Sequence, residues 1–326
     1  MIEIQLHQLI DVSKCYEILR SIRWSGTVIC TECGSTNVVK NGKDIVHKEI
    51  QHYKCKVCKS YFDDLTDTIF SGSHFGIHEW VSVLYLMNLN VSNLQIAKEL
   101  DLNANSVANM CATIREGVVK KKPDIHLGGA VEADECYIVA GHKGQPLKVQ
   151  KAGRAPRRRR LKGKRGRGTA ADEKNPIFGL VERKGLVRLQ VLDNVQQKTI
   201  EPIIKDAVQE GSILYTDEYC IYNNVSSLGY EHKQVNHGKG EYARDEDGDG
   251  IYEVHCNTQE GGWSLVRSWL RPHRGVSQEK LPFYVGFFEW IHNLRKRGKK
   301  AVHETFCLLL KPDLRKYEDC LIISSI

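Results

Sequence analysis

The sequence predicts a mixed α/β fold preceded by two smaller modules, and three observations carry that expectation. Apolar, β-branched runs at 130–139, 176–184 and 186–193 are followed by a helical pattern at about 198–210, a fourth apolar run at 212–217 and an amphipathic stretch after Asn257. Two C-x-x-C pairs, Cys30-Thr-Glu-Cys33 and Cys55-Lys-Val-Cys58, stand near the start, separated by 21 residues. Between these regions, from Ile77 to Met110, apolar residues recur at helical spacing.

With 326 residues, 41% of them hydrophobic, the chain can build two or three domains with buried cores, which excludes a disordered protein. No run of 18 or more apolar residues occurs, and Met1-Ile-Glu-Ile-Gln-Leu-His lacks the pattern of a secretion signal. The expectation is an intracellular protein with no membrane partner. Eleven cysteines, four in C-x-x-C pairs and seven scattered through apolar segments, point to a reducing compartment. The net charge of +7 is uneven: Lys143 to Arg167 holds twelve Lys and Arg and no acid, leaving a net −5 on the rest.

Residues 1–22 read as a short helix, with Leu6, Leu9, Ile10, Val12, Cys15 and Ile18 at helical spacing. Residues 23–66 read as a zinc ribbon. Cys30, Cys33, Cys55 and Cys58 would hold one structural Zn²⁺, Gly34 and Lys59 suit the tight knuckles after each pair, and Asn41-Gly42 reads as the hairpin turn between them. Redox dithiols compete with this reading, but neither pair sits in a βαβ context.

Residues 74–122 read as helices in a helix-turn-helix arrangement, one near Ser92–Leu100 and a later one from Ala104 to about Arg115, with Ser92 and Asn105 as N-caps. The later helix would enter a DNA groove through Asn103, Asn105, Ser106 and Asn109. A plain packed three-helix bundle is the competing reading. Residues 128–297 form the α/β domain, and 298–326 read as a C-terminal tail. The domain is interrupted at 141–175 by a basic insertion containing Arg157, Arg158, Arg159 and Arg160, too poor in apolar residues to fold alone and suited to neutralising DNA phosphates.

Three acidic residues in this domain point to chemistry. Asp134 lies within the first apolar run, Asp217 closes the run at 212–217, and Glu260 opens the amphipathic stretch. Two carboxylates on strands and one on a helix against the sheet can meet in space. Hard oxygen ligands suit Mg²⁺ or Mn²⁺, and two such ions clamp the attacking and leaving oxygens of an in-line phosphoryl displacement. Strand alternation sends Glu132 to the face of Asp134 as an auxiliary group and Glu135 to the opposite, solvated face. The competing third ligand is Asn257, three residues before Glu260 on the same helix face; charge balance favours Glu260, and Asn257 suits an N-cap. Asp245-Glu-Asp-Gly-Asp-Gly250 imitates a calcium loop, but Cys256 stands where the bidentate Glu is needed, so an acidic loop is expected.

The stretches Val131-Glu-Ala-Asp-Glu-Cys-Tyr137, Tyr215-Thr-Asp-Glu-Tyr219 with Tyr222, Val235-Asn-His237 and His255-Cys-Asn-Thr-Gln-Glu-Gly-Gly-Trp-Ser264 resemble the zinc-ribbon insertion-sequence DDE transposases of the ISXO-like group. The resemblance covers roughly residues 15 to 295. It implies a ribonuclease-H-like catalytic domain that cleaves and joins DNA at the ends of a mobile element. It further implies that Asp134 bridges two ions, with Asp217 holding one and Glu260 the other, and that Arg267, on the face of Glu260, contacts a phosphate. Arg271 continues that basic face. The implied partners are double-stranded DNA, both terminal inverted repeats and target, and further copies of the chain on that DNA. The implied location is the cytoplasm at the nucleoid, or the nucleus in a eukaryotic host. The rival from another class is a catalytically silent, domesticated DNA-binding protein; the presence of all three carboxylates favours the enzyme.

Overall fold

The computed structural model describes residues 11–151, 153, 167–171 and 173–311. The chain clusters into two units, one made of residues up to Lys122 together with those from Gly298 onward, the other of Pro123–Arg297. Arg157, Arg158, Arg159 and Arg160 lie outside the described residues, as do Leu6, Leu9 and Ile10.

In the first unit, helix α1 (Val12–Trp24) is capped by Asp11, whose side chain accepts from the Lys14 amide, and it buries Cys15, Tyr16, Ile18 and Leu19. Strands β1 (Val38–Lys43), β2 (Gln51–Cys55) and β3 (Tyr61–Asp63) form an antiparallel sheet in that order. Asn41-Gly42 is not the hairpin turn expected from the sequence. It lies at a register irregularity between Lys40 and Lys43, where Gly42 takes a φ of +80° that a bulge accommodates. The turn comes after it, where Asp44 Oδ1 accepts from the amides of Val46 and His47. The carboxylate of Asp64, fully buried, ties the sheet to α1 by accepting from Arg20 Nε, the Gln51 amide and the Tyr53 hydroxyl.

Helices α2 (Ile77–Asn88), α3 (Asn93–Glu99) and α4 (Ala104–Lys121) follow. The expected face of α2, Ile77, Trp80, Val81, Val83, Leu84 and Met87, is buried throughout. Ser92 caps α3 as expected, but Asn105 does not cap α4. Asn103 does, because its side-chain Oδ1 accepts from the amides of Asn105 and Ser106, and α4 runs on beyond Arg115 to Lys121.

The second unit holds β4 (Ala130–Val139), α5 (Pro146–Lys151), β5 (Lys174–Glu182), β6 (Val187–Val191), α6 (Gln197–Ala207), β7 (Ile213–Thr216), β8 (Glu231–Gln234), α7 (Asn257–Leu270) and α8 (Leu281–Lys296). The sheet order is β6-β5-β4-β7-β8, antiparallel from β6 to β4 and parallel from β4 to β8. One face of β4 sends Val131 and Ala133 into a core shared with Phe178, Leu180, Ile200, Ile204 and Leu214. The free edge of β6 is closed by α8: Glu289 accepts from the Leu189 amide, and the Asn293 amide pairs with both polar groups of Val187. Residues 298–326, expected as a tail, contain α9 (Ala301–Leu310). This helix belongs to the first unit, where Phe306 meets Phe70 with ring centroids 5.7 Å apart and Lys121 Nζ donates to the Leu309 carbonyl.

Helix α7 covers the other face of the large sheet at Gly179, which pairs with Asp134 across β4 and β5. A Cβ at this position would lie 2.1 Å from Gln259 Nε2 and 2.5 Å from the Trp263 ring, so the helix sits this close because the residue is glycine. Gly179→Ala should therefore displace α7 and lower stability by about 1–3 kcal/mol, read as a drop in Tm by thermal denaturation.

Candidate active site

Asp134 points from the middle of β4 toward α7. Its Oδ1 accepts from the Glu135 amide at 2.7 Å and its Oδ2 from Trp263 Nε1 at 2.9 Å. Burial pushes its carboxyl up to about 6, and the charges of Asp217 and Glu260 push the same way against those two donors. The parallel register pairs Glu132 with Tyr215, and Asp217 follows directly on the end of β7, near enough for its charge to act on Asp134. Asp217 Oδ1 accepts from the Tyr219 amide at 3.0 Å, and Asp217 Oδ2 lies 4.0 Å from Arg167 Nη2. The Arg167 guanidinium in turn covers the Tyr219 ring at 3.4 Å. Glu260 stands exposed in the first turn of α7, three residues before Trp263, the residue bonded to Asp134.

Asn257, also exposed, is the first residue of α7 rather than its cap; Cys256 holds the cap position and supplies no side-chain bond. The capping contact comes from across the sheet. Glu132, fully buried, accepts from the Gln259 amide and the Thr258 hydroxyl at 2.9 Å each and from Arg183 Nε at 2.8 Å. The expectation for Glu135 needs correction. It does lie on the opposite face from Asp134, but it is mostly buried there, because the fully buried Tyr222 donates its hydroxyl to it. Burial pushes Glu135 up to about 8, the Asp134 and Asp217 charges adding to the effect.

Arg267 and Arg271 are both exposed, and together they line a cavity of about 260 Å³ with Ile138 and Leu270. Trp263 and Trp269 are buried, and Trp263 is also a donor to Asp134. His237 is half-buried and lies in a turn whose backbone amides at His237 and Gly238 are bound by Glu218, the neighbour of Asp217. In the first unit Asn105 and Asn109 are exposed on α4 and Ser106 is half-buried.

Two groups of side chains, among the described residues, bring three or more ligand atoms within 4.8 Å of one another. One is Cys30, Cys33, Cys55 and Cys58, with Sγ–Sγ distances of 3.6 Å for both Cys30–Cys58 and Cys33–Cys55. Bonds of ~2.3 Å in a tetrahedron would set thiolates about 3.8 Å apart, close to what is seen. Both knuckles have the form expected, with Gly34 and Lys59 at positive φ and the amides of Cys30 and Cys55 bonded to the carbonyls of Ser35 and Ser60. The other group, Asp245, Asp247 and Glu253, belongs to the acidic loop, where Asp245 accepts from the amides of Gly248 and Gly250.

Sequence reasoning missed Arg183 and Tyr222 as partners of the acids. Arg183 sits in a turn rich in charge, where nothing local marks it, and Tyr222, although quoted with the Asp217 motif, carries no local signal that its hydroxyl meets Glu135.

By class, this is a mixed α/β protein with a four-cysteine cluster of the kind that can hold a metal ion. The chain belongs to the ISXO2-like transposase family, whose domain matches residues 126–293. A relative named "Uncharacterized protein in transposable element ISH50" from Halobacterium salinarum is 34% identical over 289 residues, covering 87% of this chain and 92% of the relative. An "Uncharacterized transposase-like protein" from Haemophilus influenzae is 27% identical over 103 residues, 32% of this chain and 77% of that one. Among solved structures, the simian T-cell lymphotropic virus intasome in complex with PP2A regulatory subunit B56 gamma matches with a TM-score of 0.26 at 8% identity, over 63% of this chain and 66% of that chain. The Mos1 strand transfer complex matches at 0.22 and 14%, over 72% and 80%. Overlays this loose carry no argument. No helix among the described residues is long and apolar enough to cross a membrane.

Glu135 supplies a test of the electrostatics. Its folded-state value of about 8 lies above the ordinary 4.5, so folding favours the protonated form. That contribution to stability is complete below pH about 4.5 and is lost as the pH rises through about 8. Glu135→Gln keeps an oxygen for Tyr222 and cannot ionise. Without added divalent ions, its unfolding free energy should fall less than that of the wild type across this window, by on the order of 1–3 kcal/mol after allowance for partial exposure, read as a smaller drop in Tm. Identical pH profiles would show that Glu135 is solvated after all.

Proposed function

We propose that this protein binds the ends of an insertion sequence and cleaves and joins DNA strands there, using two Mg²⁺ or Mn²⁺ ions held by Asp134, Asp217 and Glu260. The observation that carries the reading is that Asp134 in β4 feels the charges of Asp217, directly after the neighbouring parallel strand β7, and of Glu260, on the helix that bonds back to Asp134 through Trp263. The donor set fits hard divalent ions, being all carboxylate, and the upward push on Asp134 from burial and from its two acidic neighbours is the excess of negative charge that cations would relieve. Ligands shared between two ions about 3.5–4 Å apart need not fall within one 4.8 Å group, as the cysteines do.

Bound there, the ions would activate the attacking oxygen and stabilise the leaving 3′ oxygen as the phosphorus exchanges one P–O bond for another. The chain's own residues do the rest. Trp263 and the Glu135 amide hold the Asp134 carboxylate in one orientation, and the exposed Arg267 and Arg271, further along the helix that carries Glu260, are available to phosphate oxygens. The sheet order, with three antiparallel strands, a helix, parallel strands and a later helix carrying Glu260, supports the ribonuclease-H-like reading.

The first unit would read DNA. Helices α3 and α4, joined by residues 100–103, support a helix-turn-helix, with Asn105, Ser106 and Asn109 toward base edges; Asn103 is committed to the cap of α4. The four cysteines would hold Zn²⁺, and the basic insertion at 141–175 would neutralise phosphates of the DNA end. Work on paired ends implies several copies on the DNA, in the cytoplasm at the nucleoid or in a nucleus.

Glu260→Gln should abolish Mg²⁺-dependent cleavage and strand transfer on end-sequence DNA while sparing end binding. Asn257→Ala, which removes an exposed side chain away from the cap, should leave substantial activity. The reverse pattern would make Asn257 the third ligand, and full activity of both variants would point to a DNA-binding protein without this chemistry. Metal analysis should also find one zinc per chain, lost in Cys55→Ser along with the ribbon fold. A zinc-free but folded wild type would overturn that assignment.

A further inference from the structure

Helix α7 carries Glu260, yet it starts without a cap of its own, since Cys256 makes no side-chain bond there. The first amides of a helix have no partner within it, and its positive end favours a nearby anion. Glu132 fills that place from β4. Its Oε2 accepts from the Gln259 amide, and its Oε1 from the Thr258 hydroxyl and from Arg183 Nε. Both oxygens of this fully buried carboxylate are therefore committed to protein donors, which leaves it unsuited to be an auxiliary metal ligand in this arrangement.

Arg183 extends the contact. Its Nη1 donates to the Glu253 carbonyl at 2.6 Å and its Nη2 to the His255 carbonyl at 2.8 Å, while the guanidinium covers the Tyr215 ring at 3.8 Å. One ion pair thus ties the segment entering α7 to the strands β4 and β7. The positions matter. Glu132 is two residues before Asp134 on the same strand face, and Gln259, whose amide it binds, directly precedes Glu260.

We propose that Glu132 and Arg183 are positioning residues for the metal site, fixing the start of α7 so that Glu260 stands at the spacing from Asp134 that two divalent ions require. This rests on the two-ion reading given above. Partners that orient metal ligands in this way affect metal affinity by about 10–100-fold when removed.

The test is Mn²⁺ binding by calorimetry on the full zinc-loaded chain, without DNA, alongside circular dichroism, zinc content and affinity for end-sequence DNA. Glu132→Gln should bind Mn²⁺ at least about 10-fold more weakly with the other three readouts unchanged, a split that general loss of structure would not give. Thr258→Val removes one donor to the Glu132 carboxylate and should weaken Mn²⁺ by about 3-fold or more, on the order of one hydrogen bond; it decides the matter if Glu132→Gln does not fold. Wild-type Mn²⁺ affinity in a folded Glu132→Gln, or in Thr258→Val if that variant must decide, overturns this proposal alone. A wild type that binds no Mn²⁺ overturns the two-ion reading and this proposal with it.

Discussion

Strand β4 carries Glu132, Asp134 and Glu135 within four residues, and a buried carboxylate cannot stay charged without compensation at tolerable cost. The structure resolves this constraint in three different ways. Glu132 is matched by Arg183 and by the start of a helix. Glu135 is held toward its neutral form by burial and bonded to Tyr222. Asp134 gets only an indole and a backbone amide, and it faces two further acids. Compensation is thus complete at two positions and left short at the third, which is the position proposed to meet a metal ion.

The same constraint explains the packing around α7. The helix must come close enough for Trp263 to reach Asp134 and for its first turn to reach Glu132, which requires the bare backbone of Gly179 beneath it. On the far side of the sheet, α6 and the apolar residues of β4 form an ordinary core, so the polar arrangement is supported from behind by close-packed side chains. Arg167, the last basic residue of the run that starts at Lys143, stands beside Asp217 and covers the Tyr219 ring.

What the sequence made legible was local. The alternation of β4, the face of α2, the knuckle residues Gly34 and Lys59 and the capping by Ser92 all follow from short-range patterns, and the structure has them. Strand β8 went unseen because Glu231-His-Lys-Gln234 has no apolar residue to alternate. Asn41-Gly42 and Asn105 misled because a positive-φ glycine serves a bulge as well as a turn, and because two asparagines two residues apart compete for one cap. The site itself was legible as residue types but not as a network: Glu132 meets residues more than a hundred positions away, and no local pattern reports the partner that keeps Glu135 from water.

Helix α9 gives the chain an unusual order of assembly. The ribbon and helices at the N-terminus emerge from the ribosome first, yet the surface made by Phe70, Gly117 and their neighbours waits for Phe306 and Leu309, which are synthesised after the whole of the α/β unit. Domains generally fold as they emerge, N-terminal parts first. Here the first-made unit is the last to be completed, so a ribosome that stalls before residue 300 releases the α/β domain attached to an unfinished N-terminal unit.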